Sequence, residues 1–233
     1  DTKGANVTSD PYFGKKIAGG RYVSGEGSYI EHIGDHYYLF MSYGGLEPNG
    51  GYEMRVFRSS RPDGPYKDMN GTDAIFTSWK LNYGPNADNR GEKLLGAYNH
   101  WGFMNVGERA QGHNSVLAAE DRRTYLVYHT KFNDGTAGHQ VRVHQLFLNR
   151  SGWPVAAPFE FHGETTGDRQ IASSQRFDSK EVAGRYHVLT HPYEQNHAAY
   201  EEAAPTEILL REDGKVEGAY SGTWKIYDGN SYI

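Results

Sequence analysis

The chain has 233 residues and no cysteine, with 24 basic against 29 acidic side chains, 29 glycines and 18 tyrosines. Without cysteine neither a disulfide framework nor a thiolate zinc site can form. A formal charge of -5 leaves no basic excess to neutralise phosphates, which excludes a nucleic-acid partner as an expectation. A mean hydropathy of -0.76 and the lack of any run near ~18 apolar residues predict no membrane-spanning helix and no membrane partner.

Glycine at one residue in eight, with abundant Tyr, Val, Phe and Thr, points to short strands and tight turns. No segment sustains the i, i+3, i+4, i+7 apolar stripe of an amphipathic helix, whereas alternation at period 2 recurs, so the fold class is all-β. Residues 1–10 are polar, carry no secretion-signal pattern and do not begin with Met. The expectation is a chain that starts inside something processed or truncated.

In chain order, strands are predicted over Gly27 to Ile33, Tyr37 to Tyr43 and Tyr52 to Ser59, with an outer edge near Pro65-Tyr66. A second set follows at His113 to Ala118, Tyr125 to Thr130, His139 to Leu148 and Trp153 to Phe161. The two sets superpose without a gap at an offset of 87, with identities at Gly25/Gly112, Ser28/Ser115, Tyr38/Tyr125, Leu39/Leu126, Arg55/Arg142 and Val56/Val143. Strands joined in order and repeated as a sheet of four read as propeller blades. Two blades cannot close a ring that needs about four to eight. After Gly163 a polar stretch leads to short strands at Gly184 to Leu189, Thr206 to Leu210 and Gly222 to Ile226, punctuated by Asp213-Gly214 and Asp228-Gly229. Residues 1–163 are thus expected to be propeller, and residues 164–233 a small all-β domain that may be cut short.

In a propeller the first strand of each blade lines the central channel. Glu26 and His113 occupy the same place in the two copies, in Ser-Gly-Glu-Gly-Ser and Gln-Gly-His-Asn-Ser. Small neighbours leave both side chains unobstructed. The plain alternatives are a solvated turn glutamate and a hydrogen-bonded interior imidazole. Other chemistry lacks its pattern: no Gly-Lys-Ser/Thr follows the glycines at 44–51, no Gly-X-Ser-X-Gly turn is present, and no predicted helix carries the i, i+4 His pair of a zincin. A carboxylic acid in a tyrosine- and tryptophan-rich channel suits sugars, whose C–H faces stack on aromatic rings and whose glycosidic oxygen the acid can protonate. Channel-facing register nominates Ser28, Tyr43, Gly45, Asn114, Ser115 and Phe132 as substrate contacts, with Tyr52 and Trp101 as rim aromatics. His129 and His100 read as packed side chains.

Ser-Gly-Glu-Gly-Ser-Tyr, Tyr-Tyr-Leu-Phe-Met-Ser-Tyr-Gly-Gly, Gly-Gly-Tyr-Glu-Met-Arg-Val-Phe-Arg-Ser, Gly-His-Asn-Ser-Val and Tyr-His-Thr-Lys-Phe together resemble arabinanases of glycoside hydrolase family 43. The resemblance covers residues 10 to 163, and the tail is similar to the small β-barrel domain of longer endo-arabinanases. It implies a five-bladed propeller, of which this chain holds about two blades, and hydrolysis of α-1,5-linked arabinan with inversion. It further implies that Glu26 is the general acid, and that His113 holds calcium or a similar hard cation largely through water. The family's base and acid-tuning aspartates have no counterpart here, so the resemblance implies an N-terminal segment of the same enzyme that carries them. A secreted or cell-surface bacterial protein acting on arabinan or arabino-oligosaccharides is the expected setting. An α-arabinofuranosidase or β-xylosidase of the same fold, and a non-catalytic carbohydrate-binding propeller, are the alternatives.

Overall fold

The computed structural model describes residues 14–79, 89–120, 123–163, 177–193 and 202–226. Strands β1 (Glu26–Ile33), β2 (His36–Tyr43), β3 (Glu53–Ser59) and β4 (Glu92–Leu95) form an antiparallel meander in sequence order. Strands β5 (Glu108–Ala118), β6 (Thr124–Phe132), β7 (Gln140–Leu148) and β8 (Pro154–Ala156) repeat it. The pairing of β2 with β3 and of β6 with β7 follows the same register at the offset of 87: Leu39 faces Phe57 and Leu126 faces His144.

Period-2 alternation puts one apolar set from each sheet into a shared core. Tyr38, Phe40, Met54, Val56, Leu94 and Leu95 of the first sheet meet Val116, Leu126, Tyr128, Leu146 and Trp153 of the second. Each such side chain withdrawn from water contributes about 1.5–3 kcal/mol. Hydrogen bonds cross the same interface: Tyr29 Oη donates to Val116 O at 3.0 Å and Tyr38 Oη to Gly152 O at 2.5 Å. The first sheet is covered on its other face too, where Leu39, Met41, Tyr43, Phe57, Tyr66 and Ala74 pack together. That double burial explains why β2 reads as a nearly continuous apolar run and why β3 is buried along most of its length although it carries Glu53 and Arg55.

One predicted strand lies elsewhere. The outer edge of the first sheet is β4, not Pro65-Tyr66. Pro65 has no N–H to give to a ladder, and Tyr66 instead turns inward to the second core while Lys67 makes a single two-way bridge to Arg58. The chain then crosses that face before reaching β4, a detour invisible to local pattern.

The C-terminal region holds a one-turn helix, α1 (Ser179–Val182), and a third antiparallel meander of β9 (Gly184–Val188), β10 (Thr206–Leu210), β11 (Lys215–Gly218) and β12 (Gly222–Thr223). Helix α1 is started by a capping box between Asp178 and Glu181. Strand β11 is additional to the predicted set, and the last strand ends at Thr223 rather than Ile226. Asp228-Gly229 lies outside the described residues.

This region is tied to the first two sheets by polar contacts. Lys93 Nζ donates to Pro192 O at 2.6 Å, Arg55 donates to Tyr193 O, and Glu202 accepts from Arg109 at 2.6 Å and Asn133 at 3.0 Å. His191 packs beside Tyr98, with its Nδ1 buried and without a hydrogen-bond partner. Burial, and then the Lys93 charge, hold its pKa down to about 4. An unfolded histidine titrates near ~6.5. Between these values the unfolded chain binds a proton that the folded chain refuses, so stability falls as pH drops through the window. His191→Gln is expected to flatten that dependence by up to about 1.4 kcal/mol per pH unit in urea titrations between pH ~6.5 and ~4. An unchanged slope would exclude His191 as its source.

Candidate active site

The strands β1 and β5 approach closely at Gly27. A β-carbon there would lie 2.8 Å from His113 Cα, and Gly27 itself has φ +59. Both strands bulge at this point, β1 between Glu26 and Tyr29 and β5 between Gly112 and Ser115. A bulge re-aims side chains that regular alternation would send elsewhere. At this bulge of β5 His113 is itself left-handed, at φ 50, as Ala110 is earlier in the strand, a conformation that costs a side-chain-bearing residue about 1–2 kcal/mol. Its N–H is held by Ser42 Oγ at 2.7 Å.

The two bulges bring Glu26 and His113 together. His113 Nδ1 lies 3.9 Å from Glu26 Oε1, and both side chains are more than half exposed. Tyr52, immediately before β3, donates its hydroxyl to the same Oε1 at 2.6 Å. Burial, followed by the Glu26 hydrogen bond, pushes the Tyr52 hydroxyl far above its usual pKa, so it stays a donor. The Tyr52 ring stacks on His129 at 5.6 Å with 16° between planes. His129 in turn lies 6.3 Å from His113 and 4.8 Å, edge on, from His139. Desolvation, then the His139 and His113 charges, lower the His129 pKa, which favours the neutral ring. Its Nδ1 is buried without a partner.

The other nominated residues divide. Ser28 and Ser115 are exposed on the inner strands, and Gly45 lies in the loop beside Tyr52, bridged to Gly51. Tyr43 is 4% exposed and belongs to the second core, its ring packed beneath Gly25, so it does not line an open channel. Asn114 is equally buried, on the inward side of β5, with neither side-chain amide atom hydrogen-bonded. The bulge that aims His113 and Ser115 at solvent turns Asn114, between them, inward. Phe132 is buried beneath the Arg142 guanidinium, 4.8 Å from its ring centre. Trp101 rests on Phe159 in the connection between β4 and β5, with its indole Nε1 buried and without a hydrogen-bond partner.

Two residues of the cluster escaped sequence reasoning as site members: Ser42 and His129. They are register mates at the offset of 87, opposite Glu26 and Gly112 on the neighbouring strands. Extending the offset from the inner strand to the second strand would have found both. Among the described residues no group of three or more His, Asp and Glu side chains is arranged to hold a metal ion. The chemistry on offer is therefore one carboxyl group whose first oxygen is bound by a buried phenol, open to solvent and flanked by an imidazole. Such a group can give a proton to an ether oxygen.

Comparison with known proteins matches two segments of the chain. Residues 4–154 match the model for glycosyl hydrolases family 43, and residues 158–233 match a C-terminal lipocalin-like domain. The chain is 37% identical over 226 residues to an extracellular endo-α-(1→5)-L-arabinanase of Bacillus subtilis, covering 91% of this chain and 45% of that protein. An extracellular endo-α-(1→5)-L-arabinanase of Thermotoga petrophila is 35% identical over 240 residues, covering 95% of this chain and 48% of its own length. The chain thus spans about half the length of these relatives. Among solved structures, a family 43 glycoside hydrolase from Bacillus licheniformis superposes with a TM-score of 0.81 at 36% identity, over 94% of this chain and 48% of that one. The Thermotoga petrophila endo-1,5-α-L-arabinanase superposes with a TM-score of 0.78 at 34% identity, over 92% of this chain and 46% of its own.

The close approach of β1 and β5 makes a test of its own. Gly27→Ala incurs both the left-handed backbone penalty and the 2.8 Å contact, whereas Gly34→Ala, at φ +60 with its nearest atom 3.7 Å away, incurs only the first. Urea denaturation is expected to show about 1–2 kcal/mol lost for Gly34→Ala and clearly more for Gly27→Ala. Equal losses would mean that the inner strands are free to part at this point.

Proposed function

The chain belongs to glycosyl hydrolases family 43, and from that premise we propose that it acts in an arabinanase that hydrolyses α-1,5-linked L-arabinan, with Glu26 as general acid. The observation that carries this reading is the hydrogen-bonding of Glu26. Its Oε1 is fixed by Tyr52 at 2.6 Å while the side chain stays half exposed beside His113. The names of the Bacillus subtilis and Thermotoga petrophila relatives support the substrate and, by the word extracellular, a secreted setting. No helix among the described residues is long and apolar enough to cross a membrane.

In the reaction, Glu26 hands its proton to the glycosidic oxygen as the bond to the anomeric carbon breaks. Inversion requires a water on the opposite face of the sugar and a base to take its proton, with the two carboxyls ~6.5–9.5 Å apart. The side chains that contact the Glu26 carboxyl group are Tyr52 and His113, neither of them a carboxylate. The base and a second, acid-tuning aspartate are therefore proposed to come from an N-terminal segment of the same enzyme, which carries the other blades of a five-bladed propeller. The double length of the relatives supports that arrangement.

His113 is proposed as the single protein ligand of a calcium-type ion. This role rests on the family membership; the structure adds that the His113 imidazole is more than half exposed and so open to a hydrated ion. When bound, the ion would supply fixed positive charge beside the reacting sugar. Tyr52 and the stacked His129 shape the wall next to Glu26, and Ser28 and Ser115 offer hydroxyls along the inner strands.

Two measurements test this reading. Glu26→Gln is expected to lower turnover of linear arabinan at least ~10²-fold, the low end of a general acid's contribution, with an unchanged circular dichroism spectrum; full turnover would remove Glu26 from the role. Chain 1–233 alone should release no reducing ends from arabinan, and adding the N-terminal segment should restore release. Cleavage of xylan or simple aryl arabinosides in place of arabinan would instead favour a xylosidase or arabinofuranosidase, and binding without cleavage a carbohydrate-binding module.

A further inference from the structure

Two buried hydroxyl groups stand behind Glu26 and His113. Ser42, on β2, is fully buried, and its Oγ accepts from the backbone N–H of His113 at 2.7 Å. The Tyr52 hydroxyl donates its single proton to Glu26 Oε1 at 2.6 Å.

The ring that carries this hydroxyl is held on all sides. Tyr52 is 3% exposed, stacks on His129, and is backed by Gly112, where a β-carbon would lie 2.1 Å from Tyr52 Cε1. Any residue other than glycine at 112 would displace the ring. The contacts made to Glu26 by Tyr52 and by His113 both fall on Oε1. That oxygen is occupied as an acceptor, and the acid proton is left to Oε2.

We propose that Tyr52 is a positioning residue for Glu26: it engages Oε1 and so fixes Oε2 as the oxygen that delivers the proton to the leaving group. The inference rests on the reading of Glu26 as general acid. In the step it serves, the Oε2–H bond breaks and the glycosidic oxygen gains that proton. The electron pair of the carbon–oxygen bond stays with the departing hydroxyl, and water, losing a proton to the base, completes the anomeric carbon. Glu26 is left ionised, and the Tyr52 hydrogen bond to Oε1 becomes charge-assisted and stronger at that moment. Tyr52 thus contributes more in the transition state than in the ground state, where contributions accelerate the step.

The test contrasts two leaving groups in the active enzyme, this chain together with its N-terminal segment. A sugar alkoxide needs the acid's proton to depart, whereas a nitrophenolate does not. Tyr52→Phe keeps the stacked ring and removes the hydroxyl. It is expected to lower kcat on linear arabinan about 10-fold or more, with KM within about twofold, and to change turnover of a nitrophenyl arabino-oligosaccharide less than about threefold. Gly112→Ala, whose β-carbon would lie 2.1 Å from Tyr52 Cε1 and so move the ring off Glu26, should show the same contrast, and serves in place of Tyr52→Phe if that variant does not fold. Equal losses on both substrates, or no loss on arabinan, would overturn the inference. Glu26→Gln separates it from the underlying reading: a variant that still cleaves arabinan removes the acid itself, whereas an inactive Glu26→Gln beside an unselective Tyr52→Phe removes only the positioning role.

Discussion

The candidate site depends on one packing constraint, the near-contact of β1 and β5 at Gly27, where no room exists for a β-carbon. The shared core of the two sheets draws the strands together, and the missing side chain lets their backbones meet. Each strand then accommodates the approach with a bulge in the same place. The left-handed conformation of His113 is unfavourable alone and persists because the surrounding structure determines it. Ser42 accepts its N–H from one side and the Gly27 backbone closes the other. A residue pair 87 positions apart in sequence becomes a pair 3.9 Å apart in space.

Identical residues at the repeat offset do different work in the two sheets. Arg55 is fully buried, bonded to Glu53 at 2.5 Å and to the carbonyls of Gly91 and Tyr193. Glu53 also holds Lys93 at 2.8 Å, so two cations share one carboxylate out of water. Removing one partner from such a cluster costs about 3–5 kcal/mol, and here the cluster reaches the C-terminal region through Tyr193 and Pro192. Its counterpart Arg142 lies over Phe132 and pairs with Glu160 at 3.3 Å. The backbone pattern repeats while the side-chain roles diverge. Arg109 adds a second link, binding Glu202 of the C-terminal region and Asn49 of the loop that ends at Tyr52. The segment that leads into β10 is thereby tied, through Arg109, to the loop that precedes Tyr52.

Strand pattern, repeat register and the Glu26–His113 pair were legible because each rests on short-range alternation or on a constant offset. What stayed hidden rests on contacts that alternation does not encode. The true edge strand β4 follows a long excursion from β3, and Pro65 looked like an edge only because edges tolerate proline. Tyr43 alternates correctly, yet the first sheet is covered on both faces, and single-sequence pattern cannot distinguish a channel from a second core. Asn114 was assigned to the channel although its neighbours His113 and Ser115 already claimed the exposed side. The Asp178-to-Glu181 capping box was a readable helix signal within a stretch that seemed merely polar.

The distribution of burial across the site carries a last consequence. Tyr52, the donor, is almost wholly buried, while its acceptor, Glu26, is not. A buried hydroxyl without a partner costs about 1–3 kcal/mol, so Tyr52 is driven to keep Glu26 in place whether or not sugar is present. The acid needs no reorganisation when substrate arrives, which is the economy of a preorganised site. Exposure at the other oxygen is what allows a bulky glycosidic bond to approach. Order is thus built into one side of the carboxyl group and access into the other, and both follow from where glycines let the two sheets touch.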